Sequence, residues 1–163
     1  MRRILVVTGP VGVGKTAVSW EIAEVLEERD VPYGFFDPDA VHFHPRPADD
    51  RFGYRVSLAA LDAAWPLMDV DRLIVPMVVE RRDRLDRFSG SDVTVARLTA
   101  PAAVIEGRIR RREIGAGLEW HLARAVELDA HWRDHPVEDF TVENADHSVR
   151  EVAVEVLTRS GWL

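Results

Sequence analysis

Residues 9–16 have the types and spacing of a loop that binds phosphate. They are Gly9, Pro10, Val11, Gly12, Val13, Gly14, Lys15 and Thr16, and they fit the P-loop pattern G-x-x-x-x-G-K-[ST]. In such a loop the glycines let backbone N–H groups turn toward the phosphates, and the lysine reaches the β- and γ-phosphates. The sequence therefore predicts that all eight residues bind a nucleoside triphosphate, with Lys15 catalytic and Thr16 offering its hydroxyl to Mg²⁺.

Lys15 is the only lysine of the 163 residues, and every other basic residue apart from histidine is arginine. A compact ammonium reaches into a tight phosphate-binding loop more easily than a planar guanidinium does. Lysine is present at this one position and nowhere else, which supports a phosphate-binding role for Lys15.

A P-loop needs a buried strand before it and a helix after it, and the chain supplies both. Apolar and β-branched runs predict strands at 4–8, 33–36, 72–79, 93–98 and 140–143, and helical periodicity predicts helices at 15–28, 52–68, 118–133 and 149–159. A further helix opens at Pro101, and a short arginine-rich helix precedes the fourth strand. The alternation predicts one α/β domain over residues 1–163, built on a doubly wound five-stranded parallel sheet.

Composition narrows the kinds of partner. The formal net charge of -7 disfavours nucleic acid, whose phosphates are bound by basic surfaces. The chain has no cysteine, so it can form neither a disulfide nor a thiolate metal site, which fits the cytoplasm. No apolar run is long enough to span a membrane. We expect a small-molecule substrate, and composition leaves the oligomeric state open.

Two carboxylates follow the second predicted strand. Asp37 and Asp39 flank Pro38, at the edge of the sheet where open α/β folds bind ligands. A carboxylate near magnesium can orient an attacking hydroxyl and accept its proton. The alternative is an Asp-Pro turn that only caps the following segment.

This D-x-D pair, together with the P-loop, resembles the small P-loop kinases, which include shikimate, gluconate, adenylylsulfate and nucleoside monophosphate kinases and chloramphenicol phosphotransferases. The resemblance covers the whole chain. It implies that Asp37 supports magnesium, that Asp39 is the catalytic base, and that ATP is the phosphoryl donor to a small-molecule hydroxyl. The chain lacks the glycine pair or arginine set of a shikimate or nucleotide site, which favours a phosphotransferase outside the named metabolic kinases, of which the resistance type is one kind.

A dense run of arginines follows the fourth strand. Arg108 and Arg112 lie four residues apart and share a helix face, where they repel unless an anion lies between them. Similarity to adenylate-type kinases implies that Arg108 stacks on adenine and that Arg112 reaches the transferring phosphoryl group. The alternative is a solvated face that pairs with Glu106 and Glu113. Asn144 resembles the adenine-side loop of the same family.

The acceptor region is predicted at about 37–68 and a lid at about 108–120, with Gly115 and Gly117 as hinges. His42 and His44 are expected to line the acceptor pocket, with Arg46, Arg51 and Arg55 nearby as anion contacts, and Trp120 is placed to close on an acceptor ring. His131 and His135 have metal-ligand spacing, but neither this pair nor His42 and His44 has further ligands at suitable spacing.

Other P-loop classes fit less well. Guanine-specific switches need a lysine in N-K-x-D, and Lys15 is already used. ATP motors usually carry an acidic pair after an apolar strand, where this chain has only Glu80. The remaining rival to a kinase is a nucleotide-binding regulator or slow ATPase without a small-molecule acceptor.

Overall fold

The computed structural model describes residues 1–41 and 54–163. Five strands form one sheet: β1 (Arg3–Thr8), β2 (Gly34–Phe35), β3 (Arg72–Pro76), β4 (Asp92–Thr99) and β5 (Phe140–Glu143). Every neighbouring pair is parallel, and the order is β2-β3-β1-β4-β5. The five-stranded parallel sheet predicted from the sequence is confirmed.

In this described part of the chain, five α-helices connect and cover the strands: α1 (Lys15–Glu27), α2 (Tyr54–Ala64), α3 (Ala102–Arg112), α4 (Ala116–Asp134) and α5 (Val149–Arg159). Short 3-10 helices lie at Pro38–Ala40, Trp65–Leu67 and Arg82–Phe88. Among the helices of the described residues, none combines the length and apolarity that crossing a membrane requires.

The two faces of β1 enter separate parts of the core, because successive side chains of a strand point to opposite faces. Leu5 and Val7 pack with α1 and α5, while Ile4 and Val6 pack with α2 and α4. All four side chains are fully buried. This doubly covered sheet is the doubly wound arrangement that the alternating elements predicted.

Several element boundaries differ from the sequence prediction. β2 is two residues long rather than four, since it is an edge strand that pairs only with β3. β3 ends at Pro76 rather than at residue 79, and the prolyl nitrogen has no hydrogen to donate. The helix expected over 52–68 becomes 3-10 at Trp65–Leu67, where Pro66 likewise withdraws a donor. α4 begins two residues earlier than predicted, directly after Gly115.

Candidate active site

The P-loop connects β1 to α1 at the carboxyl edge of the sheet. Gly14, which precedes the helix, has a φ of 101°, and a Cβ added there would lie 2.6 Å from Asn144 Nδ2. Only glycine tolerates both the left-handed backbone and the close approach. The local sequence therefore requires glycine immediately before Lys15.

The side chain of Lys15 folds back onto the P-loop. Its Nζ donates hydrogen bonds to the carbonyl oxygens of Gly9 and Pro10, at 3.0 and 3.1 Å. Burial lowers the pKa of Lys15 to about 8; nearby Asp39 acts in the opposite direction, and Arg112 adds to the lowering. The site therefore concentrates positive charge, and a bound polyanion would offset the desolvation of Lys15 and its repulsion from Arg112.

Asp37 and Asp39 lie across from the P-loop. Asp37 caps the 3-10 helix Pro38–Ala40 by accepting a hydrogen bond from the Asp39 N–H at 2.9 Å, so the capping role considered as an alternative is present. Its carboxylate also accepts a hydrogen bond from Thr16, and burial raises the pKa of Asp37 despite that contact. The two predicted magnesium ligands, Thr16 and Asp37, are thus in direct contact.

This contact fits a magnesium ion bound together with phosphates. A hydroxyl and a carboxylate are the hard oxygen donors that Mg²⁺ prefers, and the ion usually takes only one or two protein ligands beside substrate phosphates. Among residues 1–41 and 54–163, no three His, Cys, Asp or Glu side chains converge on a possible metal position. The protein groups present suit Mg²⁺ that arrives with a nucleotide.

Tyr54, at the start of α2, was not anticipated from the sequence. Its hydroxyl hydrogen-bonds the Asp39 side chain and the backbone of Val78. Burial, reinforced by the charge of Asp39, raises the pKa of Tyr54, which keeps the hydroxyl protonated as a donor. Ser57 of the same helix donates to the Pro38 carbonyl at 3.0 Å. α2 therefore fixes the turn that carries both aspartates.

The two residues expected near adenine both bind one backbone atom of the P-loop. Asn144 Nδ2 donates to the Val13 carbonyl at 2.7 Å, and Arg108 Nη1 donates to the same oxygen at 3.2 Å. Asn144 is buried. Both side chains brace the P-loop, and their contact with adenine stays a prediction.

Arg112, the last residue of α3, lies on the wall of the same cavity as Lys15. Its Nε donates to Glu113 Oε1 at 2.9 Å, and Arg110 pairs with Glu106 at 2.8 Å. These are carboxylate partners of the kind expected for a solvated arginine face. Arg112 therefore pairs with Glu113 and also faces the cavity that contains the P-loop.

A cavity of about 1160 Å³ joins the predicted groups. Its walls include Lys15, Thr16, Asp39, Arg112 and Trp120. Beyond them the cavity continues between α2, the chain that follows β3, and α4, where it is lined by Arg55, Leu58, Met77, Val78, Glu80, Arg81, Asp83, Arg84, Arg87, His121, Arg124 and Leu128.

Sequence reasoning did not select Glu80 or Arg124 as site residues. Their side chains form an ion pair within this cavity. The position of Glu80 shortly after β3, at the ligand-binding edge, was the available signal. The expected pocket residues His42, His44, Arg46 and Arg51 lie outside the described residues.

A parallel sheet with its P-loop after the central strand places this chain in the P-loop α/β fold class. No protein-family model matches the chain, and no curated protein matches it. Solved structures do match, and small P-loop kinases are among them.

Three of these structures cover nearly the whole chain. A tunicamycin resistance protein from Deinococcus radiodurans is 23% identical with a TM-score of 0.64, over 99% of this chain and 96% of its own. A gluconokinase from Sinorhizobium meliloti is 22% identical with a TM-score of 0.67, over 99% and 94%. A shikimate kinase from Acinetobacter baumannii is 20% identical with a TM-score of 0.62, over 98% and 92%. The resemblance to small P-loop kinases is confirmed for the fold.

Proposed function

We propose that this protein is an ATP-dependent phosphotransferase that moves the γ-phosphoryl group of ATP to a hydroxyl of a small molecule. The observation that carries the proposal is the shared cavity, which places the P-loop lysine, Asp39 and Arg112 on common walls. Ligand pockets commonly measure about 300–1,000 Å³, so this volume exceeds what one small ligand needs. Room beyond the phosphate-binding loop favours a second substrate over hydrolysis alone.

The residues of the P-loop, 9–16, would hold the triphosphate, with Arg108 and Asn144 at its nucleotide side. Thr16 and Asp37 would hold Mg²⁺, which neutralises charge on the phosphates and orients them when bound. Lys15 and Arg112 would stabilise the charge that develops on the transferring group. The segment 108–120, which contains Gly115 at a φ of 71°, would act as the lid.

Asp39 would act as the base. The acceptor oxygen forms a new bond to the γ-phosphorus while its proton passes to the Asp39 carboxylate. The bond from the γ-phosphorus to the β–γ bridging oxygen breaks, and its electron pair leaves with ADP. Tyr54 would hold the carboxylate in place during this transfer.

The test is ADP release from MgATP, measured with a panel of alcohols, sugars, nucleosides and antibiotics as acceptors. We expect at least one acceptor to stimulate release. Asp39→Asn should then lower kcat by about two to four powers of ten and leave the Kd for ATP within about twofold. Asp86→Asn is the matched control, because Asp86 is exposed and does not line the cavity.

Two results would contradict the proposal. Full transfer by Asp39→Asn would show that Asp39 is not the base. A complete panel without stimulation would favour the rival function, a nucleotide-binding regulator or slow ATPase.

A further inference from the structure

We propose that the acceptor is an uncharged, polyhydroxylated molecule, and that Glu80 selects it by accepting a hydrogen bond from one of its hydroxyls. The inference rests on the proposed function and adds the substrate class. Its basis is the ion pair between Glu80 and Arg124, which places a carboxylate beside the most enclosed arginine of the cavity wall.

The backbone around Glu80 is held from three directions. The Val79 N–H donates to Thr8 Oγ1 at 3.0 Å, and Trp132 Nε1 donates to the Val79 carbonyl at 2.8 Å. His131 Nε2 lies 2.8 Å from the Glu80 carbonyl oxygen. Thr8 and Trp132 are buried, so this segment is anchored in the core. Glu80 is thus presented from a fixed backbone, as selective recognition requires.

Arg124, the enclosed arginine of this wall, already has its charge compensated. Its side chain is 14% exposed, and it pairs with Glu80 and, at 2.9 Å, with Glu127. A carboxylate or phosphate that approached Arg124 would have to displace Glu80. Displacement would leave two anionic groups close together in a confined site, which is unfavourable.

Three of the other five arginines that line the cavity are paired as well. Arg112 pairs with Glu113, Arg81 with Asp83, and Arg87 with Asp62. These pairs are more exposed than that of Arg124, so each contributes less to selection. They nevertheless reduce the positive field that an anionic acceptor would need.

Glu80 keeps capacity to bind a ligand. Its side chain is 46% exposed despite the contact with Arg124. A carboxylate has about four lone-pair positions, so a second donor can bind while Arg124 stays in place. The apolar side chains of Leu58, Met77 and Leu128 line the same cavity and can cover the carbon face of a sugar-like acceptor.

The experiment compares acceptors of related structure, one member of each pair uncharged and the other anionic. Aldoses and alditols are matched with aldonic acids of equal carbon number, and nucleosides with their 5′-monophosphates, and kcat/KM is measured by ADP release. We expect the uncharged member of a pair to be preferred by about tenfold or more. Glu80→Gln should raise KM for the uncharged acceptor by about tenfold, because a hydrogen bond to a charged group is lost.

Glu80→Gln should also lower the ratio of kcat/KM for the uncharged acceptor to kcat/KM for the anionic one by about tenfold. The reason is that Arg124 loses its partner and can then bind an anion. Glu127→Gln is the matched control. Glu127 also pairs with Arg124 but does not line the cavity, so this variant should leave the preference within about twofold. MgATP affinity and thermal unfolding verify that each variant is folded.

Each outcome decides the inference. Wild-type preference for the anionic acceptors, or an unchanged preference in Glu80→Gln, would overturn it while the phosphotransferase function stands. If Glu80→Gln does not fold, Glu80→Asp withdraws the carboxylate by one methylene and must show the same rise in KM. Absence of transfer to either class would refute the proposed function, and this inference with it.

Discussion

At the residue scale, the exposed side chain of Asp39 is oriented by one neighbouring hydroxyl. Tyr54 links it to the backbone of Val78, so the proposed base on its short turn is tied to the chain that leaves β3. Such a link fixes the direction of the carboxylate without taking part in proton transfer. We therefore assign Tyr54 as a positioning residue for the proposed base.

We predict that Tyr54→Phe lowers kcat by about fivefold to tenfold, because a single hydrogen bond contributes roughly 0.5–1.5 kcal/mol. The Kd for ATP should not change, since Tyr54 contacts the acceptor-side carboxylate. Steady-state kinetics with separate nucleotide titration measure both quantities. Tyr33→Phe is the control: it removes a 2.7 Å hydrogen bond to Glu27, and neither residue lines the cavity. Equal kcat values for the two variants would contradict the positioning role.

Gly14 offers a second comparison at this scale. Gly14→Ala combines an unfavourable φ with a contact of 2.6 Å to Asn144 Nδ2, whereas Gly90 has a φ of 88° and nothing within 4 Å of an added Cβ. Both alanine variants should lose roughly 1–3 kcal/mol of stability from backbone strain. We predict that only Gly14→Ala also weakens MgATP binding, by more than about tenfold.

Denaturant unfolding and nucleotide titration of both glycine variants make this comparison. Weaker MgATP binding in Gly90→Ala would show that general destabilisation, and not the displacement of Asn144, is responsible.

At the element scale, the strand–helix order was readable because each strand is an apolar run and each break is a glycine, a proline or a polar turn. The contacts that unite distant elements were not readable. Arg124 and Glu80 are 44 residues apart, and nothing in the composition of α4 selects Arg124 among its polar residues. Tyr54 likewise follows a segment whose path a single sequence does not specify.

An ion pair joins β4 to the segment before β5. Arg97 and Glu138 lie 2.8 Å apart, with side chains only 14% and 10% exposed. Burial acts to raise the pKa of Glu138, but hydrogen bonds from Arg97 and the backbone outweigh it and lower the pKa below its ordinary value. A carboxyl with a lowered folded-state pKa stabilises the fold above its unfolded pKa, and this contribution is lost as pH falls through the folded value.

We predict that Glu138→Gln loses roughly 3–5 kcal/mol of unfolding free energy at pH 7, because Arg97 is left charged and enclosed. The difference from wild type should begin to shrink as the pH falls below the ordinary glutamate pKa of about 4, and it should vanish as the pH falls through the lower folded-state pKa of Glu138. Urea unfolding across this range is the measurement. Glu155→Gln, which breaks an exposed pair with Arg159, should cost less than about 1 kcal/mol. Similar losses in both variants would contradict this account.

At the scale of the whole molecule, an acidic protein contains a cavity lined by six arginines and the only lysine. Desolvation already lowers the pKa of Lys15, so the unliganded site is under electrostatic strain. A bound triphosphate would relieve it, and binding to the folded state alone stabilises that state.

We predict that MgATP at a hundredfold excess over its Kd stabilises the fold by about 2.7 kcal/mol. For a chain of this length, that corresponds to a rise in Tm of roughly 5–11 °C. Thermal scans with and without MgATP measure the shift. Lys15→Met should abolish most of it without lowering the Tm of the free protein, because the variant removes a desolvated charge. A full shift in Lys15→Met would contradict the assigned role of the lysine.

The Val13 carbonyl oxygen accepts a hydrogen bond from Asn144 Nδ2, and Asn144 lies 131 residues further along the chain. The loop that follows β1 is thus completed by a side chain that follows β5. A chain truncated before β5 lacks this brace, as well as the strand that positions it. The loop can therefore reach its braced form only after β5 has docked against β4.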